Sequence, residues 1–317
     1  MNNLILKILK FISIPILLSL ILYILLSNKN INGSYLAELY KFKTNILEQQ
    51  KDKQKIIIIG GSNAKFCYYS PILKKHFPEY EIVNAGLQGN VGLLHSLNYL
   101  KPYLNKGDII ILSPEYGMLQ TETGLFGNYE LVQLMSVYDG VLKGIFTDYK
   151  QLRSFLAQSF FHYRAFGEIL LIKHVLASKE EIDRVIKEFH NEYGDIINAD
   201  GERAYFSYDI QIDTNFTKDA IDYLNNFNEY CIENNVKLTI NFPATARQSV
   251  IKQVDDSLFI QSFNNHFKNI PTLNVPSAAI TDKSHFYDSP YHLKTSWQYQ
   301  HTKELCKDLE QSMIFSK

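Results

Sequence analysis

The chain has 317 residues, a formal net charge of −1 and three cysteines. That length allows one large domain or two small ones, and the balanced charge gives no basis for a nucleic-acid partner. Cys67, Cys231 and Cys306 have no metal-ligand spacing, and their odd number excludes a fully paired disulfide framework, so neither a metal nor another cofactor is expected. Cys231 and Cys306 fall in helix-like patterns and read as core fillers. Cys67 also reads as packing, although it lies close enough to Ser62 that a catalytic thiol is the alternative.

The first element is apolar. Phe11–Leu26 is a run of Ile and Leu broken by Ser13, Pro15, Ser19 and Tyr23, and with Ile8 and Leu9 it reaches about twenty residues, enough to cross a hydrocarbon core. Leu25-Leu26-Ser27-Asn28-Lys29 is a poor cleavage site, so residues 1–28 are expected to be an uncleaved membrane anchor, with a cleaved signal peptide as the alternative. Lysines on both sides leave the orientation open. Residues 29–54 are polar, with helical spacing at Leu36, Leu39, Tyr40 and Phe42, and read as a stalk or short helix.

From residue 55 to 317 strands and helices alternate. Ile56–Ile59 is a β-branched run that predicts a buried strand, followed by a helix over Ser70–Phe77. Glu81–Asn84 is a second strand, Leu93, Leu94, Leu97 and Leu100 keep helical spacing, and Asp108–Leu112 is a third strand. Residues 118–216 break the alternation. They are aromatic-rich and mostly helical in pattern, and Ser159–Ala177 is strongly apolar but interrupted by His162, Arg164, Glu168 and Lys173, which argues against a second membrane crossing. This stretch is expected to be a cap inserted between strands three and four. Ala220, Leu224, Phe227 and Cys231 then share a helix face. Val236–Phe242 is a fourth strand, Gln248–Phe267 a helix, Thr272–Val275 a fifth strand and Thr295–Met313 a closing helix. Alternating strands and helices imply a parallel sheet covered on both faces, with ligands bound at the edge formed by the strand C-termini.

Gly60-Gly61-Ser62-Asn63 lies at that edge. Glycines leave room for substrate, and a serine there can act as nucleophile or merely cap a helix. Asp288-Ser-Pro-Tyr-His292, before the last helix, supplies an aspartate and histidine that can activate it. Asp282-Lys-Ser-His285 is a rival pair. Gly86-Leu-Gln-Gly89-Asn-Val-Gly92 lacks both the phosphate-loop lysine and the full dinucleotide pattern.

At these residues the chain resembles the SGNH (GDSL-like) hydrolase superfamily. Gly60-Gly61-Ser62-Asn63 stands where that family has Gly-Asp-Ser, Asn84-Ala-Gly86 where it has a glycine after the second strand, and Asp288 and His292 where it has Asp-x-x-His. The resemblance covers roughly 55–112 and 237–309. Position 61 is glycine rather than aspartate, the Asp–His spacing is one residue longer, and Ser113-Pro-Glu115-Tyr-Gly117 replaces the family's Gly-x-Asn-Asp. The resemblance implies an α/β fold, a three-layer αβα sandwich on a five-stranded, flavodoxin-like parallel sheet. It also implies a triad of Ser62, His292 and Asp288. Oxyanion or substrate contacts are expected from the Ser62 and Gly86 N–H groups, from Asn63 or Asn90, and from Glu115. The activity implied is that of a membrane-anchored serine esterase or O-acyltransferase outside the cytoplasm, acting on acyl, typically acetyl, esters of surface polysaccharide and working with an acyl-transporting membrane partner. The alternative is a carbohydrate-binding or assembly protein of the same fold that has lost its chemistry.

Overall fold

A computed structural model describes residues 35–134, 137–161, 179–201 and 203–312. The expected anchor, residues 1–28, and most of the apolar Ser159–Ala177 run lie outside them. Among the described residues no helix is long and apolar enough to cross a membrane.

The chain begins with helix α1 (Tyr35–Gln49) and strand β1 (Lys55–Gly60), followed by α2 (Ser62–Cys67), α3 (Ser70–His76), β2 (Glu81–Asn84), α4 (Leu93–Asn98) and β3 (Ile109–Ser113). Next come α5 (Tyr116–Gln120), α6 (Glu122–Phe126), α7 (Asp139–Thr147), α8 (Tyr149–Phe161), α9 (Lys179–Phe189) and the short strand β4 (Ile210–Ile212). The last part holds α10 (Lys218–Glu233), β5 (Lys237–Ile240), β6 (Thr245–Ala246), β7 (Val250–Gln253), α11 (Asp256–His266), β8 (Ile280–Thr281) and α12 (Thr295–Gln311).

The central sheet has four parallel strands in the order β2-β1-β3-β5. The two central strands, β1 and β3, are buried along their whole length, which is why they read as near-continuous runs of isoleucine. One face presents Ile57, Ile59, Val83, Ile110 and Leu112 to Leu39 and Leu47 of α1, Leu97 of α4, and Leu224 and Phe227 of α10. The other presents Ile56, Ile58, Ile82, Ile109 and Ile111 to Ala64 and Cys67 of α2, Leu73 of α3, and Leu305 and Leu309 of α12. Alternation along each strand thus feeds two separate apolar clusters.

Three expectations are corrected. The fifth strand is reduced to one parallel bridge between Ile240 and Thr272. Pro271 has no N–H to donate, and beyond Leu273 the side chain of Asn274 takes over. It accepts from the Phe242 N–H at 2.7 Å and donates to the Phe242 carbonyl at 3.0 Å, where a ladder would continue. The helix expected over Gln248–Phe267 is split. Val250–Gln253 pairs with β4, and α11 starts only after Asp255, whose carboxylate accepts from the Ser257 N–H at 2.8 Å.

The third correction concerns residues 29–54. Their helix α1 is no stalk, because Leu36, Leu39 and Leu47 belong to the main core. Lys43, fully buried, donates from Nζ to the Asn84 carbonyl at 2.7 Å and to the Gly194 carbonyl. Burial lowers its pKa to about 7, against the opposing pull of Asp195.

The inserted residues 118–216 divide their roles. Met118, Leu125, Val141 and Ile145 join the α1 side of the core. Residues 191–200 wrap the opposite side, where Asp195 accepts from the N–H and hydroxyl of Ser70 and the Ile196 N–H donates to the Lys65 carbonyl. Residues 203–210 run beside Asp288, with the Phe206 N–H donating to its carbonyl at 2.8 Å.

Candidate active site

Because all four strands are parallel, Ser62, Gly86, Glu115 and Asn241, which follow β1, β2, β3 and β5, gather at one edge. Gly61 is the N-cap of α2 and has no side chain with which to cap it. The reason is spatial: a Cβ there would stand 2.2 Å from Glu115 Oε1 and 2.9 Å from Gly89 Cα. A Cβ on Gly89 would stand 2.5 Å from Glu115 Oε2. The Glu115 carboxyl therefore fills the space between two glycines. The backbone N–H groups of Asn63 and Ser62 hydrogen-bond to it, supplying the cap that Gly61 cannot.

The loop before α12 delivers Asp288 and His292. The Tyr287 N–H donates to the His292 carbonyl at 2.8 Å, the His292 N–H to the Ser289 carbonyl at 3.2 Å, and Phe286 bridges antiparallel to Leu293. This turn leaves both side chains on one side. His292 Nε2 lies 2.7 Å from Ser62 Oγ, and His292 Nδ1 lies 2.5 Å from Asp288 Oδ1. The His292 ring stacks on Phe66, with centroids 3.9 Å apart and planes 9° from parallel.

The electrostatics follow from position. Burial lowers the His292 pKa below its ordinary value, and the hydrogen bond and charge of Asp288 only partly offset this. Burial pushes Asp288 upward, but His292 and the charge of Arg203 outweigh it, so its pKa lies below the usual carboxylate range. His292 thus favours the neutral form with Nδ1–H donating to an ionised Asp288, which leaves the Nε2 lone pair facing the serine.

Of the expected site residues, Ser62, His292, Asp288 and Glu115 come together. Gly86 and Asn63 are committed elsewhere. The Gly86 N–H donates to Asn84 Oδ1 at 3.1 Å, and the fully buried Asn63 amide donates to the Ser113 carbonyl and hydroxyl at 3.0 and 2.9 Å, tying α2 to β3. Neither is a free oxyanion donor here, because each satisfies a neighbouring buried acceptor. Asn90 is exposed on the turn Gly89–Val91, and its carbonyl accepts from the Asn128 N–H. His285 is held away from the serine: its Nδ1 lies 2.6 Å from Thr281 Oγ1 and its ring stacks on Trp297. The Cys67 thiol donates to the Tyr291 carbonyl, and burial pushes its pKa up to about 12, the opposite of a reactive thiolate.

Phe66 and the aromatic rim escaped the sequence reading. Phe66 is four residues after Ser62 in α2, a spacing that puts both on one helix face. The 203–210 segment adds Arg203, whose guanidinium lies 5.5 Å from the Tyr287 ring centroid, Phe206, which is 72% exposed, and Tyr208, whose ring lies 6.1 Å from that of Tyr291. Among the described residues no group of three or more His, Cys, Asp or Glu is placed to hold a metal ion. Compared with protein-family models, curated proteins and solved structures, the chain matches none.

Proposed function

We propose that this protein is a serine esterase or O-acyltransferase acting on acyl esters, with acetylated surface polysaccharide as the substrate class. The observation that carries the proposal is the continuous hydrogen-bonded row Ser62–His292–Asp288 at the C-terminal edge of the sheet. As Ser62 Oγ attacks the acyl carbonyl, its proton passes to His292 Nε2 while Asp288 holds the ring and stabilises the imidazolium. The leaving alkoxide takes that proton back, and water or a sugar hydroxyl then releases the acyl group by the same route. The exposed Phe206 and Tyr208 beside the triad suit the apolar faces of a sugar ring.

Labelling with a fluorophosphonate probe and hydrolysis of a short aryl ester test this. Ser62→Ala is expected to abolish both, a loss of several orders of magnitude, while leaving the thermal midpoint nearly unchanged. Retained labelling would remove Ser62 from the mechanism.

Membrane anchorage, an extracytoplasmic site and an acyl-delivering membrane partner belong to the same proposal. They rest on residues 1–28 and on the family resemblance alone. An alkaline phosphatase fused to the C-terminus of the full chain is expected to be active. An inactive fusion paired with an active cytoplasmic reporter would make a surface-glycan substrate untenable.

One observation favours the second reading, an inactive binding protein. The Glu115 carboxyl takes the N–H groups of Ser62 and Asn63 and lies 3.3 Å from Ser62 Oγ. An ionised carboxylate at that spot would oppose the negative charge that ester attack creates.

A further inference from the structure

The protons available to Ser62 do not suffice for its contacts if Glu115 is ionised. The hydroxyl has one proton. His292 Nε2, at 2.7 Å, faces Ser62 Oγ with its lone pair, because the ring's proton is on Nδ1 toward Asp288 at 2.5 Å. The serine proton therefore goes to His292. What remains toward Glu115 Oε1, 3.3 Å away, is a lone pair of Ser62 Oγ. Two oxygen lone pairs facing each other make no bond, whereas a proton on Glu115 turns the contact into a donor–acceptor pair.

We infer that Glu115 works as a neutral carboxylic acid, donating to Ser62 Oγ in the resting site and to the substrate's carbonyl oxygen as it becomes an oxyanion. The inference rests on the esterase reading above. It also answers the observation that favours an inactive protein, because a protonated Glu115 is a donor where an ionised one is an obstacle. No covalent bond to Glu115 forms. Ser62 Oγ bonds to the acyl carbon, the carbonyl π pair moves onto oxygen, the serine proton goes to His292, and Glu115 keeps its own proton while sharing it with the oxyanion.

The surroundings agree. Gly61 and Gly89 press the carboxyl from both sides, so it has little room to leave the serine. Burial raises its pKa above the ordinary carboxylate value, against the lowering effect of the Asn63 and Ser62 hydrogen bonds and the Lys65 charge. The other titratable groups facing it are Cys67 on α2, Tyr208 on the 203–210 segment, and Tyr291 and His292 on the loop before α12. Burial raises the pKa of Cys67, Tyr208 and Tyr291, so all three are neutral at neutral pH. Among the expected oxyanion donors, the Gly86 N–H and the Asn63 amide are already spent and the Ser62 N–H is turned to the Glu115 carboxyl, which itself faces Ser62 Oγ at 3.3 Å.

Infrared difference spectra of the full chain against Glu115→Gln at neutral pH test the proton directly. A carboxylic-acid carbonyl band present in the unmodified protein and missing from the variant is expected. In the same preparations, the rate of fluorophosphonate labelling should fall about 100-fold in Glu115→Ala, the scale for losing one oxyanion donor. It should stay within about tenfold in Glu115→Gln, whose amide can donate. The unmodified protein should also lose rate at alkaline pH as Glu115 ionises, and Glu115→Gln should lack that limb. No band, or a glutamine variant as slow as the alanine one, overturns the inference. If Glu115→Gln does not fold, the alkaline limb of the unmodified protein decides alone, and a rate that stays flat through the alkaline range overturns it. Labelling that survives Ser62→Ala instead removes the esterase reading, whatever the band shows.

Discussion

The two edges of the central sheet use buried charge in opposite ways. At the edge formed by the strand N-termini, Lys55 and Asp108 are both fully buried and pair at 3.0 Å. The Lys55 N–H donates to Asp108 Oδ1 and the Asn105 N–H to Asp108 Oδ2, each at 2.8 Å, while Lys55 Nζ also donates to the Lys53 carbonyl at 2.8 Å. Both carboxylate oxygens have partners, and nothing is left over to react. At the opposite edge the His292 and Asp288 side chains remain 16% and 21% exposed, and a glutamate crowds a serine that has one proton for two neighbours. A closed arrangement of partners gives stability, whereas one left open to solvent on one side leaves polar groups within reach of a ligand. Substitutions at the two edges should therefore fail in different assays.

The largest effect is expected at the open edge. Asp288→Asn should lower kcat/KM by about 10⁴, because the amide no longer holds His292 in the tautomer that accepts from serine, and should leave denaturant stability nearly unchanged. Equal losses of rate and stability would erase the contrast between the edges. Asp108→Ala is the mirror experiment. It leaves the Lys55 ammonium buried without its partner and should cost about 3–5 kcal/mol in denaturant unfolding, with little change in activity per folded molecule.

The pH profile sharpens the open edge further. His292 must be neutral to accept the serine proton. Burial lowers its pKa, so activity should persist below the ordinary histidine midpoint and fall only as the pH drops through the lowered value. Phe66→Ala removes the stacked ring, lets water reach His292, and should move that acid limb upward toward the ordinary value. A limb that stays put would show that burial by Phe66 does not tune the base. The smallest effect belongs to the rival histidine. His285→Ala should leave kcat/KM within about twofold, since its partners are Thr281 and Trp297 rather than Ser62.

What the sequence made legible was local. Ile56–Ile59 followed by two glycines and a serine announces a buried strand running into a tight turn, and Asp288 and His292 stand four residues apart before an evident helix. Those patterns picked out Ser62 and His292, which the fold brings to within 2.7 Å of each other, and the α/β character of the domain. The role of Glu115 was not legible in this way. It is 53 positions from Ser62 in the chain, and no spacing rule links a residue after one strand to the N-cap of a helix after another. Reading Glu115 together with the glycine at 61 would have been the one clue, since a missing side chain in a crowded site implies a neighbour in its place. The spacing of Leu36, Leu39 and Tyr40 shows a helix in α1 but not its docking, because Lys43 looks solvated in sequence and is buried against two carbonyls. The fifth strand was over-read because a short apolar run cannot reveal that Pro271 and Asn274 interrupt its ladder.

That same lysine has a mechanical consequence. A loosely tethered domain sweeps a volume set by the length of its tether, and its active site can face any direction within it. Here the domain's first described helix is bolted by the Lys43 Nζ to the end of β2 and to the loop at Gly194. Force or restraint applied at Tyr35 therefore passes straight into the sheet. The aim of Ser62 is fixed relative to the axis of α1, like a tool on a rigid boom, so whatever held the chain at Tyr35 would set which way the site faces as well as how far it reaches.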